Sequence, residues 1–471
     1  MLILALVAAL VSIAAAAPGD LDPSFGIGGK VTTDFGSSDQ GDSAVLQSNG
    51  KIVVGGSTGP SGTAAADFAL ARYTSNGELD PIFDGDGKVT THIGVADSVS
   101  SLVLQADAKI IAAGGSTFGF NMRDFVLLRF TQDGSLDPTF DGDGRVTTDF
   151  GFFDGAADVV IGADGKIVAV GTTSDQGSGQ SDIALARYQP DGSLDTSFGV
   201  GGKVTLDFAT DSGSAVALQA DGRIIVAGSA NYSPAVLNMD FVVARYNSDG
   251  SLDPSFGGDG TVTIDFGPED LARELALQSD GKILVVGRAD PDGGGDMQAD
   301  FALARLNSDG SLDTMGLDPY VDAPFGTGGK VTTDFGASDE LFAVGIETGG
   351  RIVGAGWSVN PQGDPPDGSF ALARYNVNGS LDSTFGAMGK VITDYTSGSD
   401  RASDVLVQQN GEIVATGVSA SGPAADFALA RYLVRGCCVV EGAPPGGTPA
   451  SGPRPVITPG RPVPLPPSPG E

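Results

Sequence analysis

One marker recurs seven times along the chain, an apolar segment that ends in arginine and is followed directly by an aromatic or aliphatic residue. Successive markers lie 57, 58, 58, 60, 69 and 57 residues apart. A period of this length is typical of a solenoid, a propeller or another repeat array, and it outweighs the several separate domains that 471 residues would otherwise suggest. The marker arginines are Arg72, Arg129, Arg187, Arg245, Arg305, Arg374 and Arg431.

Each repeat contains four segments that are typical of short strands. In the first repeat they are residues 31–35, 43–47, 51–54 and 67–73, rich in β-branched residues or alternating with period two. Pairs such as Asn49-Gly50 join the second and third segments and predict type I′ hairpin turns. Four antiparallel strands repeated seven times predict an all-β fold, a seven-bladed β-propeller. A β-solenoid is the alternative, although its coils are usually shorter.

The order of strands within a predicted blade follows from their composition. The alanine-rich second strand suits the crowded position around the axis, the third and fourth follow outwards, and the first strand of the next repeat is outermost. Residues 31–35 have no preceding repeat, so we expect them to close the ring by pairing with residues 426–432. We expect each marker arginine to pair with an aspartate of the Leu-Asp motif, such as Asp80 or Asp195. The Leu and Phe side chains of the same connection are predicted to fill the gaps between sheets.

The two ends differ in composition from the repeats. Residues 1–16 predict a signal peptide, with an uncleaved anchor as the alternative. Residues 17–435 form the predicted propeller, and residues 436–471 predict a proline-rich disordered tail. Cys437 and Cys438 are adjacent and are expected not to stabilise the fold. We therefore expect a secreted, periplasmic or cell-surface protein that does not insert in the membrane after signal cleavage.

The charge balance excludes one class of partner. The 26 Lys and Arg residues face 59 Asp and Glu residues, which gives a formal net charge of −33. A surface that follows nucleic-acid phosphates needs clustered basic residues, so nucleic acid is not an expected partner. One histidine and two adjacent cysteines also argue against a zinc site of the usual kind.

The repeat has a specific motif. It reads Gly-x-Leu-Asp-x-x-Phe-Gly-x-x-Gly-Lys-Val-Thr-Thr-Asp-Phe, then Leu-Gln-x-Asp-Gly-Lys-Ile-Val-Val-x-Gly, then Asp-Phe-Ala-Leu-Ala-Arg-Tyr, and it occurs with small substitutions at residues 192–208, 218–228 and 240–246. This unit resembles the delta-60 repeat, a bacterial tandem repeat grouped with β-propeller domains of unknown function. The resemblance covers about residues 19–432. It implies an exported bacterial propeller and supplies no catalytic residue.

An aspartate follows each predicted outermost strand after three to five residues. We expect these seven aspartates in the loops that lead to the next inner strands, around one mouth of the channel. Their carboxylates predict a metal site for Ca²⁺, which accepts oxygen ligands in loose geometry. The alternative is that each aspartate caps its own turn. The set is Asp39, Asp97, Asp154, Asp211, Asp270, Asp339 and Asp400.

Other polar residues are expected to have structural roles. His92 occupies a slot that holds aspartate in the other repeats, and no nucleophile accompanies it. The sequences 84–87 and 141–144 alternate Asp and Gly, and residues 290–296 are similarly rich in them. They lack the further ligands of a calcium loop, so turn formation is the preferred interpretation.

Two functions remain open at this stage. The first is a non-catalytic binding or scaffold module for a protein or glycan ligand, with the variable loops between third and fourth strands on the binding face. The alternative is a secreted, glycosidase-like hydrolase that uses paired carboxylates at the channel mouth. The seven aspartates are equivalent and no acid/base pair stands out, so we expect binding without catalysis and without a cofactor other than Ca²⁺.

Overall fold

The computed structural model describes residues 16–61, 65–118, 122–151, 153–174, 180–208, 211–231, 239–290, 299–314, 324–336, 338–360, 367–395, 398–421 and 424–435. They belong to one compact unit. The predicted signal peptide, the proline-rich tail with Cys437 and Cys438, and most of the 290–296 segment lie outside the described residues. Within the described ranges, no helix is long and apolar enough to cross a bilayer.

The described residues contain 28 strands and no helix. The strands are β1 (Lys30–Thr33), β2 (Ser38–Leu46), β3 (Ile52–Gly59), β4 (Asp67–Tyr73), β5 (Lys88–Thr91), β6 (Asp97–Leu104), β7 (Ile110–Phe118), β8 (Met122–Phe130), β9 (Arg145–Thr148), β10 (Phe153–Ile161), β11 (Ile167–Ser174), β12 (Ser181–Tyr188), β13 (Lys203–Leu206), β14 (Asp211–Leu218), β15 (Ile224–Asn231), β16 (Met239–Tyr246), β17 (Thr261–Ile264), β18 (Glu269–Leu277), β19 (Ile283–Asp290), β20 (Asp300–Leu306), β21 (Lys330–Thr333), β22 (Asp339–Ile346), β23 (Ile352–Asn360), β24 (Asp367–Tyr375), β25 (Lys390–Thr393), β26 (Asp400–Val407), β27 (Ile413–Ser421) and β28 (Ala424–Tyr432).

The strands pair in units of four antiparallel strands. In the first unit the order is β2-β3-β4-β5, and each later unit repeats this order along the chain. The unit that starts at β26 takes its fourth strand from the other end of the chain, because β1 pairs with β28 through Val31 opposite Leu429. The predicted strand order and the predicted partner of residues 31–35 are therefore confirmed.

Two pairs of units are not separate sheets. A single parallel contact between Phe153 and Arg123 joins β10 to β8, and a similar contact between Met239 and Glu269 joins β16 to β18. The result is two eight-stranded sheets beside three four-stranded ones. Each of these four units keeps its four antiparallel strands within the larger sheet.

The hairpin between the first two strands of a unit is not the predicted type I′ turn. Gly50 has a φ of 82°, but neither Ser48 nor Asn49 has a positive φ. The Gly50 N–H donates to the Gln47 carbonyl, and the Gln47 N–H donates to the Lys51 carbonyl. This pattern is a type I turn followed by glycine in the left-handed region, the three-residue form of hairpin loop.

The first inner strand starts earlier than predicted, and all seven inner strands contain a bulge. β2 begins at Ser38, although residues 38–42 are polar, because pairing with β3 overrides weak strand propensity. The register shifts between Gly41 and Ser43, and a shift at the corresponding position occurs in all seven inner strands. Glycine is required opposite the bulge, since a Cβ at Gly56 would lie 1.7 Å from the Gln40 carbonyl oxygen.

A buried arginine clamp repeats in every unit. The Nε atom of Arg245 lies 2.8 Å from Asp253 Oδ2, its guanidinium lies 4.8 Å from the Phe256 ring centroid, and Nη1 donates to the Ser308 carbonyl in the next repeat. The predicted pairs of Arg72 with Asp80 and of Arg187 with Asp195 are present, at 2.7 and 2.8 Å. The phenylalanines of the clamps are fully buried, as predicted: Phe25, Phe83, Phe140, Phe198, Phe256, Phe325 and Phe385.

The last clamp joins the two ends of the described chain. Arg431 lies in β28, the last strand of the chain, yet its partners come from the N-terminal end. Its Nε donates to Asp22 at 2.8 Å, and its guanidinium stacks on Phe25 at 4.7 Å. Its Nη1 also donates to the Ser75 carbonyl at 2.6 Å. The apolar core is divided in the same way into seven clusters, each drawn from two neighbouring units, and one cluster combines residues such as Val54 and Leu429 from the first and last units.

We predict that Arg245→Met lowers the free energy of unfolding by up to about 3–5 kcal/mol, because the buried Asp253 carboxylate loses its nearest cationic partner and keeps the longer 3.3 Å contact with Arg223. Adding Asp253→Asn should recover part of the loss, since the remaining side chain is neutral. Urea denaturation of wild type, both single variants and the double variant measures these values. A single variant within about 0.5 kcal/mol of wild type would contradict a stabilising role for the clamp.

Candidate binding site in the central channel

The seven bulge residues surround two adjoining cavities. Each bulge leaves one residue unpaired in the inner strand, and all seven of these residues line both cavities. We name the cavity of about 570 Å³ towards the start of the inner strands the upper chamber and the deeper one of about 320 Å³ the lower chamber. The bulge residues are Asp42, Ser100, Ala157, Ser214, Arg273, Phe342 and Ser403.

Three of the carboxylates that line the lower chamber connect neighbouring units. Asp158 Oδ2 accepts the Val216 N–H at 2.8 Å, in the next unit. Asp404 Oδ2 accepts the Ala44 N–H at 2.7 Å, which links the last inner strand to the first. Glu274 Oε2 accepts the Val344 N–H at 2.5 Å. These acids therefore satisfy backbone donors that the bulges leave free.

The lower chamber favours the neutral form of its carboxyl groups. Burial raises the pKa of Asp404 to about 6, although backbone and Ser43 donors oppose the shift. Burial also raises the pKa of Glu274 well above its usual value, and the charge of Asp404 raises it further. The two groups therefore influence each other's ionisation, as expected for like charges in a shared enclosure.

The upper chamber is lined mainly by small polar residues, with one asymmetric cluster. The guanidinium groups of Arg273 and Arg401 lie 5.5 and 5.2 Å from the centroid of the same Phe342 ring. Arg273 pairs with Glu340 at 2.5 Å, and Arg401 lies 3.3 Å from Asp42. Six serines supply hydroxyl groups to the wall: Ser57, Ser98, Ser100, Ser212, Ser214 and Ser403.

Hydrogen-bonding capacity remains in this cluster. The Nε atom of Arg401 is buried and has no hydrogen-bond partner, while Nη2 makes a long contact with Asp42. Burial raises the pKa of Asp42 to about 6, and the charge of Arg401 only partly offsets the shift. Both arginine side chains remain about one third exposed, at 37% and 35%. The cluster thus presents donors, acceptors and an aromatic surface to the chamber.

The seven aspartates predicted as a metal site are buried residues of the inner strands, not loop residues. Asp39, Asp154 and Asp270 are the second residues of their strands, and the other four are the first. Each accepts the backbone N–H of a residue three to five positions earlier, at Phe35, Ile93, Phe150, Phe208, Phe266, Phe335 and Tyr395. The capping role that was the alternative is therefore present.

Five of these seven aspartates lie in five separate groups. Each group combines one of the aspartates with two other side chains, and one ligand atom of each residue lies within 4.8 Å of the others. The groups are Asp34, Asp39 and Asp426; Asp67, His92 and Asp97; Asp124, Asp149 and Asp154; Asp182, Asp207 and Asp211; and Asp240, Asp265 and Asp270. The predicted metal site, with its arrangement around one mouth of the channel, stays a prediction.

The other singled-out residues have the expected structural surroundings. The His92 Nδ1 atom lies 2.7 Å from Asp67 Oδ1, and this interaction raises the pKa of the exposed imidazole. In the 84–87 turn, Asp84 has a φ of 50° and Asp86 accepts the Lys88 N–H at 2.9 Å. These contacts fit turn formation.

Sequence reasoning missed the residues of the upper chamber, although the repeats carry a signal. The bulge residue lies three positions after the buried aspartate in every repeat, as Asp270 and Arg273 show. Five repeats have a small or acidic residue there, whereas two have arginine and phenylalanine. Arg401 directly follows Asp400, at a position where the other six repeats have Gln, Ser, Gly, Ser, Leu and Glu.

The comparisons identify the repeat. A family model described as a domain of unknown function (DUF5122) with a β-propeller fold matches residues 47–83, 105–140, 162–198, 219–256, 278–314 and 350–385. Together with the all-β structure, these six matches show a tandem-repeat β-propeller of unknown function. No curated protein sequence matches the chain.

Solved structures resemble the chain at low identity. A protein of unknown function from Dyadobacter fermentans has 12% identity and a TM-score of 0.44, with 86% of this chain and 98% of that chain covered. A PL25 ulvan lyase has 11% identity and a TM-score of 0.49, with 86% and 96% covered. A gluconolactonase from Xanthomonas campestris has 11% identity and a TM-score of 0.35, with 90% and 99% covered.

We predict that the protein loses stability as the pH rises from about 4 to about 7. Burial, reinforced by neighbouring carboxylates, raises the pKa of Asp211, Asp270 and Asp339 from 3.8 to about 7. The folded protein therefore binds these protons more tightly than the unfolded chain does. Ionisation of these carboxyl groups therefore lowers the free energy of unfolding. This loss is absent at a pH below their pKa in the unfolded chain and complete at a pH above their pKa in the folded protein.

Asp270→Asn should weaken this pH dependence, because the asparagine side chain does not ionise. Its amide oxygen can still accept the Phe266 N–H, so the turn is retained. Urea denaturation in a chelating buffer at about pH 4.5 and about pH 8 provides the test. We expect the variant to be more stable than wild type only at the higher pH. An unchanged difference between the two pH values would contradict this account.

Proposed function

We propose that the protein is an exported, non-catalytic binding module that holds a neutral glycan in the upper chamber. The observation that carries the proposal is the cluster of Arg273, Phe342 and Arg401, which departs from the repeat at one place on the channel. Binding sites in symmetric scaffolds are defined by such departures, because the equivalent positions elsewhere serve the fold. Residues 1–16 act as the signal peptide, and the protein is secreted, periplasmic or attached to the cell surface.

The chemistry of the chamber favours a hydroxyl-rich ligand. Serine hydroxyls both donate and accept hydrogen bonds, which suits sugar hydroxyls, and the Phe342 ring offers an apolar surface to a sugar face. Arg273 and Arg401 are matched by Glu340 and Asp42, so the cluster has no formal excess charge. The net charge of −33 disfavours a polyanionic ligand. The volume of about 570 Å³ lies within the usual range of ligand pockets.

The binding face depends on a complete ring of seven blades closed by the N-terminal strand. Support for this arrangement comes from the pairing of β1 with β28, the Arg431–Asp22 clamp and the Asp404 bond to Ala44. A closed ring keeps the seven inner strands at fixed distances. The upper chamber is then preorganised for its ligand.

A hydrolase is the second candidate, and one observation favours it. Glu274 shares the lower chamber with Asp404, and a raised pKa like that of Glu274 is a feature of the general acid in carboxylate pairs that catalyse glycoside hydrolysis. Asp404 accepts backbone donors through both carboxylate oxygens, and this commitment favours a structural role. Turnover of a glycan that is lost in Glu274→Gln would support the hydrolase and overturn the non-catalytic proposal.

We predict that Phe342→Ala and Arg401→Gln each weaken glycan binding about tenfold, since both remove contacts at the centre of the site. Neutral and acidic oligosaccharides are first screened on an array, and the best ligand is then measured by calorimetry. Phe153→Ala is the matched control, because this exposed phenylalanine lies outside the chamber. Equal losses in Phe342→Ala and Phe153→Ala would contradict the proposed site.

The same screen also tests whether the ligand is a neutral glycan at all, as opposed to a protein. If no neutral oligosaccharide binds, the glycan proposal is overturned. Binding confined to acidic oligosaccharides would also overturn it. Melting temperatures of each variant report whether the fold is retained.

A further inference from the structure

A second kind of site lies away from the channel, at the junctions between neighbouring units. Each of the five groups described above takes one residue from the start of a third strand, one that follows the fourth strand, and one from the start of the next inner strand. Asp240, Asp265 and Asp270 illustrate the pattern. Four groups consist entirely of carboxylates, and the fifth contains His92.

The burial of these groups is graded. Asp270 is fully buried and Asp240 is 7% exposed, whereas Asp265 is exposed. The group is therefore open to solvent through one ligand and enclosed around the others. A hydrated cation could reach it without opening the fold.

A buried carboxylate oxygen without a hydrogen-bond partner is an independent indication of a cation site. In Asp270, Oδ2 accepts the Phe266 N–H, but the buried Oδ1 atom has no hydrogen-bond partner. The same is true of Oδ1 in Asp211. An acceptor left unsatisfied in the interior is costly, and buried polar atoms almost always have a partner.

The fifth group shows how such an oxygen is otherwise satisfied. The Ser116 hydroxyl donates to Asp97 Oδ1 at 2.5 Å. The residues that pair with Asp211 and Asp270 are Ala230 and Ala289, neither of which has a hydroxyl. In addition, His92 pairs with Asp67 and supplies a proton to that group. The His92 group thus has internal partners that the groups of Asp211 and Asp270 lack.

We propose that the Asp182–Asp207–Asp211 and Asp240–Asp265–Asp270 groups each bind one divalent cation of the Ca²⁺ type. Oxygen-only ligands suit Ca²⁺, and three carboxylates leave coordination positions for water. Binding is therefore weak, in the range of about 10⁻⁴–10⁻³ M that is typical of extracellular modules. These sites are independent of the glycan proposal, because none of their residues lines the upper chamber.

The cation also has an electrostatic role. The three carboxylates of each group have ligand atoms within 4.8 Å of one another, so they repel one another when they are ionised. A divalent cation relieves the repulsion that a proton otherwise relieves. Calcium should therefore stabilise the protein most where the carboxyl groups are ionised.

Equilibrium dialysis with radioactive calcium tests the proposal on the full chain, stripped with a chelator, at about pH 8 and about 0.15 M NaCl. We expect Asp265→Asn to release about one calcium per chain relative to wild type. Asp280→Asn removes the same charge from an exposed hairpin turn and should leave the number of bound calcium ions unchanged. No bound calcium in wild type, or equal losses in the two variants, would overturn the proposal.

A gain of binding tests the role of the unpartnered oxygen. The double variant His92→Asp/Ser116→Ala converts the fifth group to the all-carboxylate form and should bind about one additional calcium. Conversely, Ala289→Ser supplies a donor for Asp270 Oδ1 and should weaken the corresponding site about tenfold. Melting curves without calcium confirm that each variant folds. A folded double variant with no added calcium would overturn the proposal.

Discussion

The buried arginine clamp is the interaction on which the rest of the structure depends. A single side chain pairs with an aspartate of the following connection, stacks on its phenylalanine and, in Arg245, reaches a carbonyl of the next repeat. The clamp therefore fixes the connection against the sheet and fixes one unit against its neighbour. An isolated charge in this position would be strongly destabilising, so the residues act as a set. Lysine could not replace arginine, because only the planar guanidinium combines several directed donors with stacking.

Residues that recur in every unit, such as those of the clamp, serve the structure, and this distinguishes them from residues that serve function. The buried aspartates cap turns in every unit, and the glycines opposite the bulges, such as Gly56, are required by a close backbone approach. Function is then expected where the repeat is broken. Arg273, Phe342 and Arg401 break it in the upper chamber, and the replacement of a serine by Ala289 leaves a buried oxygen without a donor at a junction. The two proposals thus rest on different departures from one pattern.

The sequence was sufficient to predict the features that repeat. The strand Asp67–Tyr73, the strand order within units and the pairs of Arg72 with Asp80 and Arg187 with Asp195 were all predicted correctly. Features that depend on the approach of one unit to another were not predicted. A bulge interrupts the period-two alternation of a strand, so it cannot be recognised from the sequence of one strand. The bulge residue Phe342 was therefore not predicted. The buried aspartates were expected in loops because polar residues with weak strand propensity surround them.

The most direct test of this account is a pair of double-mutant cycles, one on Arg431 and Asp22 and one on Arg245 and Asp253. The first pair joins the two ends of the chain, and the second lies within the array. A closed ring predicts coupling energies of similar size, about 1–3 kcal/mol, and a single cooperative unfolding transition in every variant. A coupling energy near zero for Arg431 and Asp22 would show that the ends are not joined and would contradict the account.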